Sequence, residues 1–337
     1  MRRARAAACC AAAAAALGLF AGEAGAARAA ASAASVAPSL PVAMVGSAGA
    51  SVAQGPLPVV SMHGLGDHSE SEGMTKFREL ASTLLGGVYS TSVRIGGDAA
   101  EDVANSFLMP LNRQVELYAE AVRADANLKG GFYAVGYSQG NLVVRGYIQR
   151  YNDPPVRRFA SFHGPHGGVA GYPECNVTGV ICEEFARFLG ELAYGELAQS
   201  HIAPANYLRD PDRVKAFVEG CTFLPDVNQM REVNATYKAN VLSLERLLLV
   251  KAEKDVVVQP PDSAFFGYYE ADQSSWRVVD GHADAVFKND TLGLSTLERE
   301  GKLLYGTTPG GHMQWTEQQW TALFLRAFAG DISSGSV

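Results

Sequence analysis

The sequence predicts an α/β fold in which helices cover both faces of a mostly parallel sheet. Short, fully apolar runs recur along the chain, as is typical of buried parallel strands. Amphipathic helical patterns separate these runs, and glycine-rich loops follow several of them. The chain has 337 residues, of which 47% are hydrophobic and 19% charged, and this composition suits one large domain or two small ones.

Six segments are predicted to be strands of the sheet. In chain order they are Leu57–Met62, Val88–Ile95, Phe132–Val135, Arg158–Phe162, Leu247–Lys251 and Lys302–Gly306. Apolar side chains at helical spacing predict helices over Gly73–Leu85, Val103–Leu128 and Thr316–Phe328. Pro110 falls near the first turns of the long second helix, where proline is tolerated.

Residues 168–240 break the alternation of strands and helices. Several short helical patterns in this stretch predict a helical cap inserted between core strands. Its aromatic and leucine side chains, Phe217, Phe223 and Leu224 among them, are expected to pack the cap onto the core and to line an apolar groove.

The N-terminus predicts a signal peptide over residues 1–26. Three arginines at positions 2, 3 and 5 precede the short apolar run Ala6–Phe20, and small residues follow it. An organellar transit peptide is the alternative, and the run is too short for a good transmembrane span. Residues 27–54 are rich in alanine and serine and are predicted to be disordered, which leaves 55–337 as the folded domain.

Cysteines and glycosylation motifs agree with a secretory route. Of the five cysteines, Cys9 and Cys10 would leave with the signal peptide, and Cys175 and Cys182 lie close enough for a local disulfide. Cys221 is then left over, either buried and free or paired with another partner. Sequons for N-glycosylation begin at Asn176, Asn234 and Asn289. The net charge is -7 and no lysine or arginine run stands out, so we expect no nucleic-acid partner.

Gly136–Gly140 (GYSQG) joins a predicted strand to a predicted helix. A G-x-S-x-G motif in that context predicts a nucleophile elbow with Ser138 as the nucleophile, the alternative being a turn that merely contains a serine. A Cβ at Gly136 or Gly140 would collide with the tightly turned backbone. The helix that starts here would direct its N-terminal amides at an oxyanion formed next to Ser138.

A serine needs a base and an acid that orients the base, and in this arrangement both follow the serine in the chain. His312 follows the last strand and is the predicted base, with His282 second. Asp255 directly follows the Leu247–Lys251 strand and is the predicted acid, although Glu253 is close enough to be a rival on position alone.

The loop His63–Asp67 (HGLGD) follows the first strand, where a second oxyanion amide is expected. The N–H groups of Leu65 and Gln139 are therefore the predicted oxyanion donors. His63 precedes the serine, so we expect its ring to fix the loop by hydrogen bonds. The sequence contains no Cys/His cluster with metal-ligand spacing and no phosphate-binding loop, so we expect no cofactor.

From about Leu57 to the C-terminal helix the chain resembles the palmitoyl-protein thioesterase family, which has the α/β-hydrolase fold. The resemblance rests on matching segments in one order, namely His63–Asp67, Glu101–Phe107, Gly136–Gly140, the Cys175/Cys182 pair, Leu224–Asn228, Asn234–Asn240, Pro261–Tyr269 and Gly310–Gln314.

This resemblance implies a catalytic triad of Ser138, Asp255 and His312, with oxyanion amides at Leu65 and Gln139. It also implies hydrolysis of long-chain acyl thioesters of S-palmitoylated proteins, an acyl groove under the cap, and delivery through N-glycans to a lysosome or vacuole. Secretion from the cell is the alternative destination, and we expect a monomer.

This chain departs from the family pattern in its Ala-rich leader and at two places within the folded domain. Asn141 stands where a second glycine often follows the elbow, and His68 and Ser69 stand where animal members carry a further cysteine pair. Three rival functions share the same motifs: a lipase or carboxylesterase, a thioesterase for shorter acyl groups, and an inactive lipid-binding protein of the same fold.

Overall fold

The computed structural model describes residues 56–170, 192–271 and 277–329. The predicted signal peptide and leader, the cysteine pair Cys175–Cys182 and the sequon at Asn176 lie outside the described residues. The sequons at Asn234 and Asn289 lie within them, and both asparagines are exposed.

A six-stranded parallel sheet in the order β2-β1-β3-β4-β5-β8 forms the centre of the described chain. A separate antiparallel pair, β6 and β7, was not predicted from the sequence. The strands are β1 (Val59–Met62), β2 (Ser90–Ser92), β3 (Phe132–Tyr137), β4 (Val156–Phe162), β5 (Arg246–Ala252), β6 (Tyr268–Tyr269), β7 (Val278–Val279) and β8 (Leu303–Thr308). The predicted mostly parallel sheet is confirmed, and each of the six predicted runs overlaps a strand of it.

Helices connect the parallel strands. They are α1 (Glu72–Leu84), α2 (Ala99–Leu108), α3 (Leu111–Ala124), α4 (Gly140–Arg150), α5 (Glu196–His201), α6 (Val214–Gly220), α7 (Leu224–Val227), α8 (Ala235–Leu242), α9 (Ala285–Lys288), α10 (Leu294–Arg299) and α11 (Glu317–Phe328). Within the described residues, no helix combines the length and the apolar character that crossing a membrane would require.

The two faces of the sheet bury two separate apolar clusters, because successive strand residues point to opposite faces. Val59 belongs to the cluster that contains Trp320 and Phe324 of α11. Its neighbour Val60 belongs to the cluster that contains Leu142 and Val143 of α4. Both clusters are almost wholly inaccessible to water, which confirms the prediction of helices on both faces.

The prediction of a single long helix over Val103–Leu128 is wrong, because the structure divides this stretch into α2 and α3 at Pro110. Pro110 has no backbone N–H, and its ring disfavours helical geometry at the preceding residue. Met109 accordingly adopts an extended conformation, with φ −108° and ψ 126°. Pro110 then serves as the N-cap of α3.

The described part of the predicted cap, between residues 192 and 240, contains α5, α6 and α7 and most of α8. Phe217, Phe223 and Leu224 from this stretch are fully buried and join the same cluster as the core residues of α3 and α4. These three side chains therefore pack this stretch onto the core of the protein.

Candidate active site

Ser138 lies in a tight turn between β3 and α4, with a left-handed φ of 50°. A Cβ at Gly136 would lie 2.8 Å from Asn141 Cα, and one at Gly140 would lie 2.9 Å from the carbonyl carbon of Met62. Neither position has room for a side chain, so the turn requires both glycines, as predicted.

The Asn141 side chain stabilises this turn. Its Nδ2 donates to the carbonyl oxygens of Ser138, at 3.0 Å, and of Phe162, at 2.9 Å. The backbone N–H of Ser138 also donates to the Phe162 carbonyl, at 3.0 Å. Asn141 thus ties the serine turn to the end of β4, a contact that glycine could not make.

Ser138, His312 and Asp255 form one chain of hydrogen bonds. His312 Nε2 lies 2.9 Å from Ser138 Oγ, and His312 Nδ1 lies 2.7 Å from Asp255 Oδ2. The Asp255 side chain is 2% exposed and that of His312 is 12% exposed. The serine hydroxyl can therefore pass its proton to a base whose other nitrogen is held by a buried carboxylate.

Two backbone amides hold the Asp255 carboxylate from the side opposite His312. The N–H groups of Val257 and Val258 donate to Asp255 Oδ1 at 2.8 and 2.9 Å. Burial by itself would raise the pKa of Asp255, but the hydrogen bond and charge of His312 together with these amides lower it below its usual range. Asp255 is therefore ionised and orients the His312 ring.

The rival acid and the rival base make contacts elsewhere. Glu253 is exposed and accepts a hydrogen bond from Thr307, at 3.0 Å. The second-choice base, His282, has its two ring nitrogens 3.1 Å from carboxylate oxygens of Asp280 and Glu298. The structure thus brings Asp255 and His312, and neither of these two alternatives, to Ser138.

The loop that carries Leu65 passes directly over the serine. A Cβ at Gly64 would lie 2.9 Å from Ser138 Cβ and 3.5 Å from Ser138 Oγ. The N–H of Leu65 follows Gly64 in this loop, and the N–H of Gln139 lies at the N-terminus of α4. Neither N–H donates to an acceptor in the part of the chain that the structure describes. Both are thus available to an oxyanion beside Ser138.

A buried ion pair holds this loop. His63 Nε2 lies 2.9 Å from Asp102 Oδ1, and His63 Nδ1 lies 3.0 Å from the Gly64 carbonyl oxygen. Both partners can only accept, so both bonds form when His63 is an imidazolium and donates from both nitrogens. Burial opposes this charge, but the hydrogen bond and charge of Asp102 raise the pKa of His63. His63 therefore fixes the loop by hydrogen bonds, as predicted.

Asp102 is a site residue that sequence reasoning missed. Its side chain is completely buried and also accepts the N–H groups of Ser69 and Ile95, both at 2.8 Å. His63 and Asp102 are 39 positions apart, and no local pattern marks such a pairing. The only available signal was that Asp102 falls within Glu101–Phe107, one of the segments shared with the resembling family.

The Gln139 side chain links the oxyanion region to the predicted cap. Gln139 Nε2 donates to the Ser106 carbonyl at 2.8 Å, and the Tyr207 hydroxyl donates to Gln139 Oε1 at 2.9 Å. Ser106 Oγ in turn accepts the N–H of Gly66 at 2.9 Å. These bonds connect both predicted oxyanion segments through α2.

One group among the described residues has ligand atoms near enough to one another for a metal ion to be considered. Single ligand atoms of His163, Asp255 and His312 all lie within 4.8 Å of one another. Both ring nitrogens of His163 and of His312, and the Asp255 carboxylate, already take part in hydrogen bonds. The arrangement is therefore that of a hydrogen-bonded network.

A serine after one parallel strand, joined by hydrogen bonds to a histidine and an aspartate after later strands, is the arrangement of the α/β-hydrolase class. Within this class, the family model described as "Palmitoyl protein thioesterase" matches residues 58–312. The chain belongs to the palmitoyl protein thioesterase family and is a hydrolase of the thioesterase class.

The sequence similarity to known proteins covers most of the predicted folded domain. The chain is 32% identical to palmitoyl-protein thioesterase 1 of Caenorhabditis elegans, over 77% of this chain and 87% of that protein. It is 34% identical to palmitoyl-protein thioesterase 3 of Dictyostelium discoideum, over 76% of this chain and 84% of that protein. It is 29% identical to the human lysosomal thioesterase PPT2, over 77% of this chain and 82% of that protein.

Proposed function

We propose that this protein removes long-chain fatty acyl groups, palmitoyl above all, from cysteine thioesters of proteins and peptides through an acyl-enzyme on Ser138. The observation that carries the proposal is the continuous hydrogen-bond chain from Asp255 through His312 to Ser138. Membership of the family supports the choice of a thioester as substrate.

In the first half of the reaction, His312 Nε2 takes the proton of Ser138 Oγ as the oxygen attacks the thioester carbonyl carbon. The carbonyl oxygen becomes an oxyanion and accepts hydrogen bonds from the Leu65 and Gln139 N–H groups. The tetrahedral intermediate then expels the cysteine sulfur, which receives the proton from His312. This step leaves the acyl group on Ser138 as an oxyester.

In the second half, a water molecule takes the place of the cysteine. His312 accepts a proton from this water as it attacks the acyl carbon, and then returns the proton to Ser138 Oγ as the acid departs. Throughout the cycle the ionised Asp255 stabilises the imidazolium form of His312 and keeps its Nε2 directed at the serine. The proposed mechanism requires no cofactor.

The substrate would bring a protein on one side and a long apolar chain on the other. We place the acyl chain in an apolar groove under the predicted cap, which spans about residues 168–240. The protein would act as a monomer in the secretory pathway, in a lysosome or vacuole or outside the cell. The exposed positions of Asn234 and Asn289 are compatible with the glycans that this route predicts.

The test is release of free thiol from a palmitoyl-cysteine peptide, measured beside an oxyester of the same chain length. Wild type and Ser138→Ala are compared after circular dichroism has shown that both are folded. We expect serine-dependent thioester cleavage and a slower oxyester rate. A dominant oxyester rate would make the protein a lipase or esterase, and a preference for short chains would make it a short-acyl thioesterase. Absence of both activities from wild type would favour a binding protein.

A further inference from the structure

His163 is a buried histidine that the proposed mechanism leaves without a role. It directly follows β4, is completely inaccessible to water and has a left-handed φ of 53°. Its ring centre lies 5.8 Å from that of His312 and 5.0 Å from that of Trp315. His163 follows the first strand after α4, which is too early in the chain order of this fold for the base.

The hydrogen bonds of His163 determine which nitrogen carries its proton. The backbone N–H of Met313 donates to His163 Nδ1 at 3.1 Å, so Nδ1 must present its lone pair. His163 Nε2 lies 2.9 Å from Thr308 Oγ1 and therefore carries the proton. Burial, together with the neighbouring His312, lowers the pKa of His163 to about 3, so the ring stays neutral.

The bond to Met313 acts on the residue that directly follows His312 in the chain. Met313 is itself in the left-handed region, with φ 56°, which is uncommon for a side chain of this kind. Met313 is itself 36% exposed. The His163 ring therefore holds the backbone at the turn from which the His312 side chain projects.

We propose that His163 is a positioning residue for His312: its neutral Nδ1 anchors the Met313 amide and keeps the His312 ring aligned with both Ser138 and Asp255. The inference rests on the proposed function, because it assigns His163 a part in the same serine chemistry. A misplacement of about 1 Å in a catalytic group is enough to cost about 100-fold in rate. The His163–Met313 bond holds the residue directly after His312, so its loss is expected to move the His312 ring by a distance of this order.

Asparagine and glutamine separate the two hydrogen bonds of His163. Asparagine Oδ1 is as many bonds from the backbone as histidine Nδ1, so His163→Asn keeps an acceptor for the Met313 N–H and also tolerates a left-handed φ. Glutamine carries its polar atoms one bond further, at the distance of Nε2, so His163→Gln keeps the Thr308 contact and loses the other. His163→Ala loses both contacts.

The experiment measures kcat and KM for palmitoyl-cysteine peptide with wild type and these three variants, after thermal melting has shown that each is folded. We expect His163→Asn to keep kcat within about threefold of wild type, and His163→Gln and His163→Ala to lose about 10- to 100-fold in kcat with KM unchanged. Equal kcat in the asparagine and glutamine variants would overturn the proposal, as would a loss confined to KM.

The rate of covalent labelling by an alkyl fluorophosphonate provides the second measurement, because it requires an activated serine and no thioester. If wild type is labelled but cleaves no thioester, the proposed substrate is wrong, and the order of labelling rates still tests His163. We then expect labelling in the order wild type, asparagine variant, and glutamine and alanine variants. Labelling of all four proteins at the same rate would overturn the role of His163.

Discussion

Replacing Asp102 with asparagine tests whether the buried pair with His63 supports the loop over the serine. Asp102 accepts three hydrogen bonds, from His63 and Ile95 on one oxygen and from Ser69 on the other. An amide must place its NH₂ where one carboxylate oxygen was, so at least one of these donors would face another donor. The substitution also leaves the His63 imidazolium without its counter-charge.

The expected loss in the free energy of unfolding is about 3–5 kcal/mol, the cost of removing one partner of a buried ion pair. The pKa of His63 is raised in the folded protein, so protonated His63 stabilises the fold fully below its unfolded-state pKa of 6.5. This stabilisation is lost as the pH rises through the folded-state pKa. The pKa of Asp102 is lowered in the folded protein, so ionised Asp102 stabilises the fold above its unfolded-state pKa of 3.8. This stabilisation is lost as the pH falls through the folded-state pKa. The difference between wild type and variant should be largest at about pH 5 to 6.

Urea unfolding followed by circular dichroism at several pH values measures this difference. The matched control is Glu116→Gln, the same exchange at an exposed carboxylate that pairs with Arg113 at 2.8 Å. We expect the control to stay within about 1 kcal/mol of wild type, as for other surface pairs. A loss below about 1 kcal/mol for Asp102→Asn at pH 5 to 6 would refute the assignment of a structural ion pair at His63.

Three further predictions follow from the site and its surroundings. Gly140→Ala should give little folded protein by size-exclusion chromatography, because its Cβ would meet the carbonyl oxygens of His63 and Met62; a well-folded variant would contradict the tight turn. Tyr207→Phe removes the hydroxyl bonded to Gln139 Oε1 and should lower the free energy of unfolding by about 1–3 kcal/mol, which thermal melting would measure against wild type. Cys221 is completely buried and its pKa is raised by that burial to about 11, so a thiol reagent should label it only after unfolding; rapid labelling of Cys221 in the folded protein, located by peptide mapping, would contradict this.

The sequence predicts the fold well where one local pattern determines one element. The apolar runs of β3 and β5 have the length and composition of buried parallel strands, and both strands form where they are expected. The division at Pro110 was less predictable, since proline is accepted in a first turn and also ends helices. In the structure Pro110 is the N-cap of a new helix. The helical pattern in the sequence continues on both sides of Pro110 and therefore concealed this boundary.

The candidate site was predictable wherever it follows from chain order. Ser138, Asp255 and His312 each lie in a loop after a strand, and parallel topology brings such loops to the same edge of the sheet. Their catalytic roles and those of Leu65 and Gln139 stay predictions. The contacts of Asp102 and His163 depend on how distant segments pack, so no spacing along the chain could have revealed them.

The most direct test of the account is to find which residue carries the acyl group during turnover. The enzyme is mixed with excess palmitoyl-cysteine peptide, quenched in acid within the first turnover and digested for mass spectrometry, with Ser138→Ala treated in parallel. We expect the palmitoyl group on Ser138 in wild type and no acylated peptide in the variant. Acylation at another residue, or normal thiol release by the alanine variant, would contradict the proposed mechanism.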